Sequence, residues 1–213
     1  MNTMSENNGQ VAMTDPIQQS KGGLYGHILR RAIHLSLSLI PLIYFEYGEK
    51  CAEFVGLELP QLVSALILSM LAAEAVRLKF SITIFGQREY EAHQVSALAW
   101  GAIGIGLAVL MAPTEEYLWP LVLSLSLGDP LMGELRRKEF TDKQVMIYST
   151  LAITIIWLAC WNYVATPLWL IPIMAPLCMI SEWPRLRWID DNATMMLIPL
   201  CAILLFDPFI GLL

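Results

Sequence analysis

Two adjacent aspartates, Asp190 and Asp191, stand at the entrance to the last apolar run of this 213-residue chain. Neighbouring carboxylates repel each other unless a cation or an arginine compensates them, and hard oxygen ligands of this kind suit Mg²⁺ with bound phosphate. Glu182 precedes the pair and Asn192 follows it. The alternative is a helix N-cap, but one Asp or Asn would suffice for that purpose. The pair therefore favours a metal site with Asp190 and Asp191 as ligands.

A third aspartate, Asp129, lies near the end of an earlier apolar run, in the sequence Gly128-Asp129-Pro130. An ionisable group at the edge of an apolar span is costly and is usually partnered or functional, so we predict Asp129 as a metal ligand and catalytic residue. Basic side chains near these acidic groups are suited to a polyphosphate, with contact to anionic lipid headgroups as the alternative. They are Arg136, Arg137, Lys138, Lys143, Arg185 and Arg187.

Two further sets of ionisable residues lie near the ends of apolar runs and are expected to support such a site. Glu74 and Arg77 are spaced i, i+3 on one helical face, which allows an internal ion pair or a bridge to other polar groups. Arg30 and Arg31 open the first apolar run, where arginines commonly anchor a helix at a membrane interface. His34 follows one turn later and is a candidate proton carrier or a hydrogen-bonded packing residue.

Apolar helices are the elements that must position these residues. Hydrophobic residues make up 56% of the chain, charged residues 15%, and the mean hydropathy is +0.57, beyond what a soluble domain of this size normally shows. Seven apolar runs approach the roughly 17–25 residues that a helix needs to cross a bilayer. They cover residues 32–47, 57–76, 95–112, 117–133, 145–163, 167–181 and 193–212.

The predicted fold class is therefore all-α, a polytopic membrane helical bundle of about seven transmembrane helices. Residues 1–23 are poor in large apolar side chains and are predicted to be a flexible polar tail. Residues 24–213 are predicted to form a single transmembrane catalytic domain. Residues 80–94, between the second and third runs, are too polar to span and are expected to form a short helix along the membrane interface.

The distribution of basic residues predicts the orientation of the chain. If the seven runs cross the membrane in alternating directions, 12 of the 13 Lys and Arg residues fall on one side and only Lys50 on the other. The positive-inside rule then places the N-terminus in the cytoplasm and the C-terminus outside. The acidic and basic candidates all lie on the cytoplasmic side, in the plasma membrane or the endoplasmic reticulum.

Several short motifs occur in order along most of the chain: Arg30-Arg31-Ala32-Ile33-His34, Glu74-Ala75-Val76-Arg77, Gly128-Asp129-Pro130, Glu182-Trp183-Pro184 and Asp191-Asn192-Ala193-Thr194. Together they resemble motifs of the membrane family of CTP-dependent polyprenol and lipid-alcohol kinases. That family includes dolichol kinase, phytol and farnesol kinases and the yeast-type diacylglycerol kinase, and is distantly similar to phosphatidate cytidylyltransferases. The last motif is the most specific. The chain departs from the family's Lys-Thr-x-Glu-Gly-Ser segment, because Gln144-Val145-Met146-Ile147 follow Lys143.

The resemblance implies transfer of a phosphoryl group from a nucleoside triphosphate, expected to be CTP, to the hydroxyl of a polyprenol- or dolichol-like lipid alcohol. Mg²⁺ is the implied cofactor, held by Asp129, Asp190 and Asp191, with Asp129, Glu182 and Asp191 as catalytic residues. The six basic residues and Asn192 would contact the nucleotide. Membrane lipids are further expected partners, a nucleic acid is not expected, and a homodimer stays open beside a monomer.

Three alternatives remain at the level of sequence. A cytidylyltransferase acting on a lipid phosphate would release pyrophosphate instead of CDP. A transporter would place ionisable groups near the middle of its spans and show an internal repeat, whereas these spans are apolar in the middle and show no repeat. A lipid-binding protein would account for the basic residues and leave the acidic ones unexplained.

Overall fold

A computed structural model describes residues 20–112, 114–183, 186 and 188–210, with side chains up to residue 207. These residues form helices joined by turns, and the one bridge between extended residues in this part of the chain pairs Ser20 with Arg88. The all-α class is thereby confirmed. Residues 1–19 of the predicted tail lie outside the described residues, whereas the Lys21 amide already donates to the Gln87 carbonyl at 2.8 Å.

Each of the seven apolar runs is overlapped by helix. Helix α1 continues through a 3₁₀ turn, Leu37–Leu39, into α2, and a five-residue π-helical turn, Ser124–Gly128, joins α5 to α6. A second 3₁₀ turn, Leu168–Leu170, leads into α8. The helices are α1 Gly23–Ser36, α2 Ile40–Phe54, α3 Leu59–Lys79, α4 Ala97–Met111, α5 Glu115–Leu123, α6 Asp129–Arg137, α7 Asp142–Val164, α8 Ile171–Ile180 and α9 Asp191–Ile210.

Three stretches of the described chain are long and apolar enough to cross a membrane by length and composition: Gly23–Phe54, Leu59–Lys79 and Asp142–Val164. Their apolar side chains are largely turned outward. Only 6% of the most apolar stretch of α3 is buried, and Leu68 on this helix is 66% exposed. Apolar surface of this extent is typical of a membrane or protein contact. The coarse prediction of a helical protein with membrane-type helices is therefore supported.

Local signals set where several of these helices begin. The Thr141 hydroxyl accepts from the backbone amide of Gln144, and the side-chain oxygen of Gln144 accepts from the backbone amide of Thr141. These two bonds form a capping box at the start of α7. At α4 the Ser96 hydroxyl accepts from the Ala99 amide at 3.2 Å. Such bonds satisfy amides that have no partner within the helix.

The core lies where α9 packs between α4 and α8, with α5 and α7 completing its walls. Gly104 permits close approach of α4 to α9, because a Cβ there would meet the Cβ of Met196 at 3.1 Å. Small residues at such crossings are typical of membrane helix packing. The core side chains of the described chain include Leu118, Leu121, Leu125, Trp157, Met174 and Met196.

The connection between α3 and α4, residues 80–94, forms less helix than the short interfacial helix that we expected. It consists of turns and one 3₁₀ turn, Glu89–Ala92. The Arg77 side chain donates to the carbonyls of Ile82, Glu91 and Gln94 at 2.6–2.8 Å. These carbonyls converge on a buried guanidinium instead of continuing a helical ladder, which explains the difference.

Arg77 is also paired with Glu74. Its Nε and Nη2 atoms each lie 2.8 Å from a Glu74 carboxylate oxygen, and the two side chains are only 5% and 7% exposed. The Glu74 carboxylate accepts a further bond from the Ser96 amide at 2.6 Å. The predicted ion pair is therefore present, and it also links α3 to the following connection and to the start of α4.

We expect Arg77→Met to lower the free energy of unfolding by about 3–5 kcal/mol, because it leaves Glu74 buried without its partner. Thermal unfolding of the purified protein in detergent, followed by fluorescence, would measure the change. Lys79→Met on the same helix is the matched control, because Lys79 is exposed. Equal melting temperatures for the two variants would contradict a supporting role for the pair.

Candidate metal and phosphate site

An irregular helix positions Asp129. The π-helical turn Ser124–Gly128 interrupts the regular ladder between α5 and α6, and Asp129 is the first residue of α6. Pro130 follows in the first turn of α6, where its missing amide hydrogen is not needed. Single π-helical turns are frequent at functional sites because they redirect the residues around them.

Three carboxylates from different elements converge at this point. Asp129 begins α6, Glu182 follows the end of α8, and Asp191 begins α9. One oxygen from each lies within 4.8 Å of the others. Mg²⁺ binds oxygens at about 2.0–2.1 Å, so two ligands of one ion lie up to about 4.2 Å apart. Small side-chain rotations would bring all three oxygens to one ion, so the donor set fits Mg²⁺.

Arg136 compensates one of these carboxylates. Its Nη1 and Nη2 atoms donate to the two oxygens of Glu182 at 2.6 and 2.7 Å, and its guanidinium lies 5.0 Å from the centre of the Trp183 ring. The Glu182 side chain is 2% exposed. Burial raises the pKa of Glu182 to about 7, although the bonds from Arg136 oppose this effect. The nearby charges of Asp129 and Asp191 also raise it.

His34 connects Asp129 to the helix that carries Asn192. Its Nε2 atom is 3.2 Å from Asp129 Oδ2 and 2.9 Å from Asn192 Oδ1. The Asn192 amide nitrogen in turn donates to the Ala97 carbonyl at 3.2 Å. The His34 Nδ1 atom is buried and has no hydrogen-bond partner among the residues described. His34 and Asn192 therefore hold α1, α4, α6 and α9 together beside the three carboxylates.

Asp190 contacts Asp191 and also caps the start of α9. Its Oδ1 atom accepts from the Asn192 amide at 3.1 Å, and its carbonyl accepts from the Ala193 amide at 3.0 Å. This is the geometry of a helix N-cap. Burial and the adjacent charge of Asp191 raise the pKa of Asp190. The cap interpretation thus describes Asp190, and the group of three carboxylates contains Asp191 without it.

The two arginines of the first motif attach α1 to neighbouring elements. Arg31 donates to the Pro130 carbonyl at 2.8 Å and lies 3.0 Å from Glu134 on α6. Arg30 pairs with Glu91 of the α3–α4 connection at 2.8 Å. Both arginines therefore act on the position of α1, which carries His34.

The predicted phosphate contacts are only partly brought together. Arg136 reaches the carboxylate group, whereas Arg137 pairs with Glu134 at the surface. Lys138 and Lys143 are exposed near the turn between α6 and α7. Arg185 and Arg187 lie outside the described residues.

Sequence reasoning missed three contributors to this region, which are Glu91, Glu134 and Trp183. Glu91 is 1% exposed although it lies in a polar connection, and no periodicity marks it as buried. Glu134 precedes Arg137 by three residues, a spacing that does predict an ion pair on a helix. Nothing in the sequence indicates that Trp183 packs against Arg136.

No protein-family model, curated protein or solved structure matches this chain. The class that fold and site define is an all-helical protein with membrane-type helices and a carboxylate and arginine cluster between α1, α6, α8 and α9.

We expect Arg136→Gln to lower the free energy of unfolding by about 3 kcal/mol, because Glu182 loses both of its bonds and remains buried. Arg137→Gln should change it by no more than about 1 kcal/mol, because its pair with Glu134 lies at the surface. Thermal unfolding of both purified variants would compare them. A loss for Arg136→Gln as small as that for Arg137→Gln would show that Glu182 needs no compensation.

Proposed function

We propose that the protein is an integral-membrane kinase that transfers the γ-phosphoryl group of a nucleoside triphosphate, with CTP as the expected donor, to the hydroxyl of a polyprenol- or dolichol-like lipid alcohol. The observation that supports this proposal most is the convergence of Asp129, Glu182 and Asp191 beside Arg136. Phosphoryl transfer depends on positioning and on charge stabilisation more than on covalent chemistry from the protein. Carboxylates for a cation and an arginine for phosphate are suited to those two tasks.

Asp129 and Asp191 would hold Mg²⁺, together with a Glu182 oxygen that Arg136 also contacts. Bound Mg²⁺ supplies neutralisation of the charge on the phosphoryl oxygens. Arg136 contacts Glu182 beside the proposed metal position. Lys138 and Lys143 are exposed to solvent. Arg185 and Arg187 complete the proposed basic set.

In the proposed reaction the alcohol oxygen forms a bond to the γ-phosphorus. The bond from that phosphorus to the β–γ bridging oxygen breaks, and CDP leaves with the bond's electrons. The alcohol must lose its proton as it attacks. Glu182, or an aspartate of the cluster that does not bind Mg²⁺, would accept this proton.

The proposed topology is the one that the basic residues predict, with the site on the cytoplasmic face. A lipid alcohol would keep its chain among the apolar helices and present its hydroxyl at the interface. The nucleotide would arrive from the cytoplasm. This arrangement accounts for a cluster of carboxylates that lies next to the apolar core of the bundle.

Asp129→Asn and Asp191→Asn should each reduce turnover at least about a hundredfold, because groups that stabilise reacting charge are typically worth roughly 10²–10³ in rate. The protein in lipid would be incubated with Mg²⁺, a panel of lipid alcohols and lipid phosphates, and γ-labelled or α-labelled CTP. Label in the lipid phase would then be counted. Transfer of γ-label alone supports the kinase, transfer of α-label indicates a cytidylyltransferase, and no transfer with CTP, ATP, GTP or UTP contradicts both.

Two further carboxylates serve as comparisons for this experiment. Asp142→Asn is the matched control, because Asp142 is exposed at the start of α7. Asp190→Asn tests the cap, since Asn caps a helix as well as Asp does. We expect Asp190→Asn to lower turnover at most severalfold. A loss of turnover as large as that for Asp191→Asn would indicate that Asp190 is also a metal ligand.

The proposed orientation predicts that Cys51 reacts with a membrane-impermeant maleimide from the outer side. Cys51 is exposed, and it lies between the first two apolar runs of the sequence, 32–47 and 57–76. Sealed vesicles of known orientation would be labelled and the modified peptides identified by mass spectrometry. Lys143→Cys in a Cys51→Ser background is the control and should react only after the vesicles are opened. The reverse pattern would invert the topology.

A further inference from the structure

A partly open cavity of about 160 Å³ lies between α1, the α3–α4 connection, α4 and the start of α9. We refer to it as the α1–α4 cavity. Its walls are mainly apolar and include Leu29, Ile33, Phe85 and Leu98. Each of these four side chains is also 37–49% exposed, so the cavity is bounded by residues that reach the outer surface of the bundle. An apolar molecule can therefore enter from the side.

One wall of the cavity is shared with the carboxylate cluster. His34 and Asn192 line the cavity, and the His34 Nε2 atom lies 3.2 Å from Asp129 Oδ2. Arg30 and Glu91 also line it, but they are paired with each other at 2.8 Å. The cavity thus has an apolar body and a polar end whose charges are compensated.

The size of the cavity limits what it can hold. An apolar cavity of about 150 Å³ accommodates benzene, so this one fits a segment of about five or six carbons. Because Gly101 has no side chain, part of the cavity volume next to it stays open. A Cβ built there would meet its nearest neighbour, the Cβ of Asn192, only at 3.9 Å. A larger side chain at this position would extend into the cavity.

The charge balance limits the ligand further. A lipid phosphate brings a negative charge that the Arg30–Glu91 pair does not compensate, because the arginine is already matched. A hydroxyl group brings no net charge and can donate to or accept from a histidine or an amide. A single apolar chain that ends in a hydroxyl matches both limits, whereas a glycerol unit with two esters would bury polar groups against apolar walls.

We propose that the α1–α4 cavity binds the first five or six carbons of the acceptor alcohol, next to its hydroxyl, and that Gly101 and Ile33 set how bulky this segment can be. The proposal rests on the proposed kinase function for the identity of the ligand. The rest of the chain leaves past Ile33 and Phe85 toward the lipid. The hydroxyl lies at the His34 end, on the side of Asp129.

The test uses the full-length protein in lipid nanodiscs and a farnesol analogue with a photoreactive diazirine on its first isoprene unit. After illumination, mass spectrometry locates the adducts. We expect adducts on α1 and on residues 84–101. They should be reduced at least about tenfold in Gly101→Leu and in Ile33→Trp, which fill the cavity from α4 and from α1. Leu98→Ala should admit an analogue with a bulkier first unit. Leu68→Ala, on the exposed face of α3, is the control for general lipid contact.

Each outcome bears separately on the cavity and on the reaction. Undiminished labelling in both folded filling variants, or adducts confined to outward side chains such as Leu68, would overturn the cavity proposal. Cavity labelling without transfer from γ-labelled CTP by the parent protein would support the cavity proposal and contradict the kinase proposal. Undiminished transfer in both filling variants would support the kinase proposal and contradict the cavity proposal. Circular dichroism and size-exclusion profiles show which variants are folded.

Discussion

The buried ion pair between Glu74 and Arg77 is the interaction on which the geometry of the site depends. Two charges removed from solvent are tolerable only when their remaining hydrogen-bonding capacity is used. Arg77 uses its capacity on three carbonyls of the α3–α4 connection, and Glu74 uses an oxygen on the Ser96 amide at the start of α4. The connection is thereby held in one conformation. That conformation presents Glu91 to Arg30, which attaches α1 close to His34.

The charges of the carboxylate cluster beside His34 are only partly balanced. Asp129, Glu182 and Asp191 bring three negative charges when ionised, and Arg136 supplies one positive charge. Two negative charges are then left among these carboxylates, whose oxygens lie less than 5 Å apart. Burial and mutual repulsion explain why the pKa of Glu182 is raised to about 7 even though it is paired. A divalent cation would remove this imbalance, which is the physical reason for proposing one.

The apolar runs predicted the helices well because burial in a bundle and insertion in a membrane both select long apolar segments. Motif reasoning also found the residues of the cluster, since carboxylates beside apolar runs need a partner. The motifs could not predict pairings between distant segments of the chain. Arg136 and Glu182 are 46 positions apart, and His34 and Asn192 are 158 apart, so no local pattern connects them. The connection after α3 forms less helix than predicted because its conformation depends on Arg77, a residue outside the connection.

The segment that begins α9 shows how consecutive polar residues acquire separate tasks. Asp190 lies before the first helical turn, so its side chain turns back to the Asn192 amide. From Asp191 onward each residue is rotated by about 100° from the one before it. Asp191 therefore faces Asp129 and Glu182, while Asn192 faces His34 and the Ala97 carbonyl. Two adjacent aspartates suggested a shared ligand set. Their side chains do contact each other, but the group of three carboxylates contains Asp191 and not Asp190. The spacing that brings carboxylates together here is set by the packing of α6, α8 and α9.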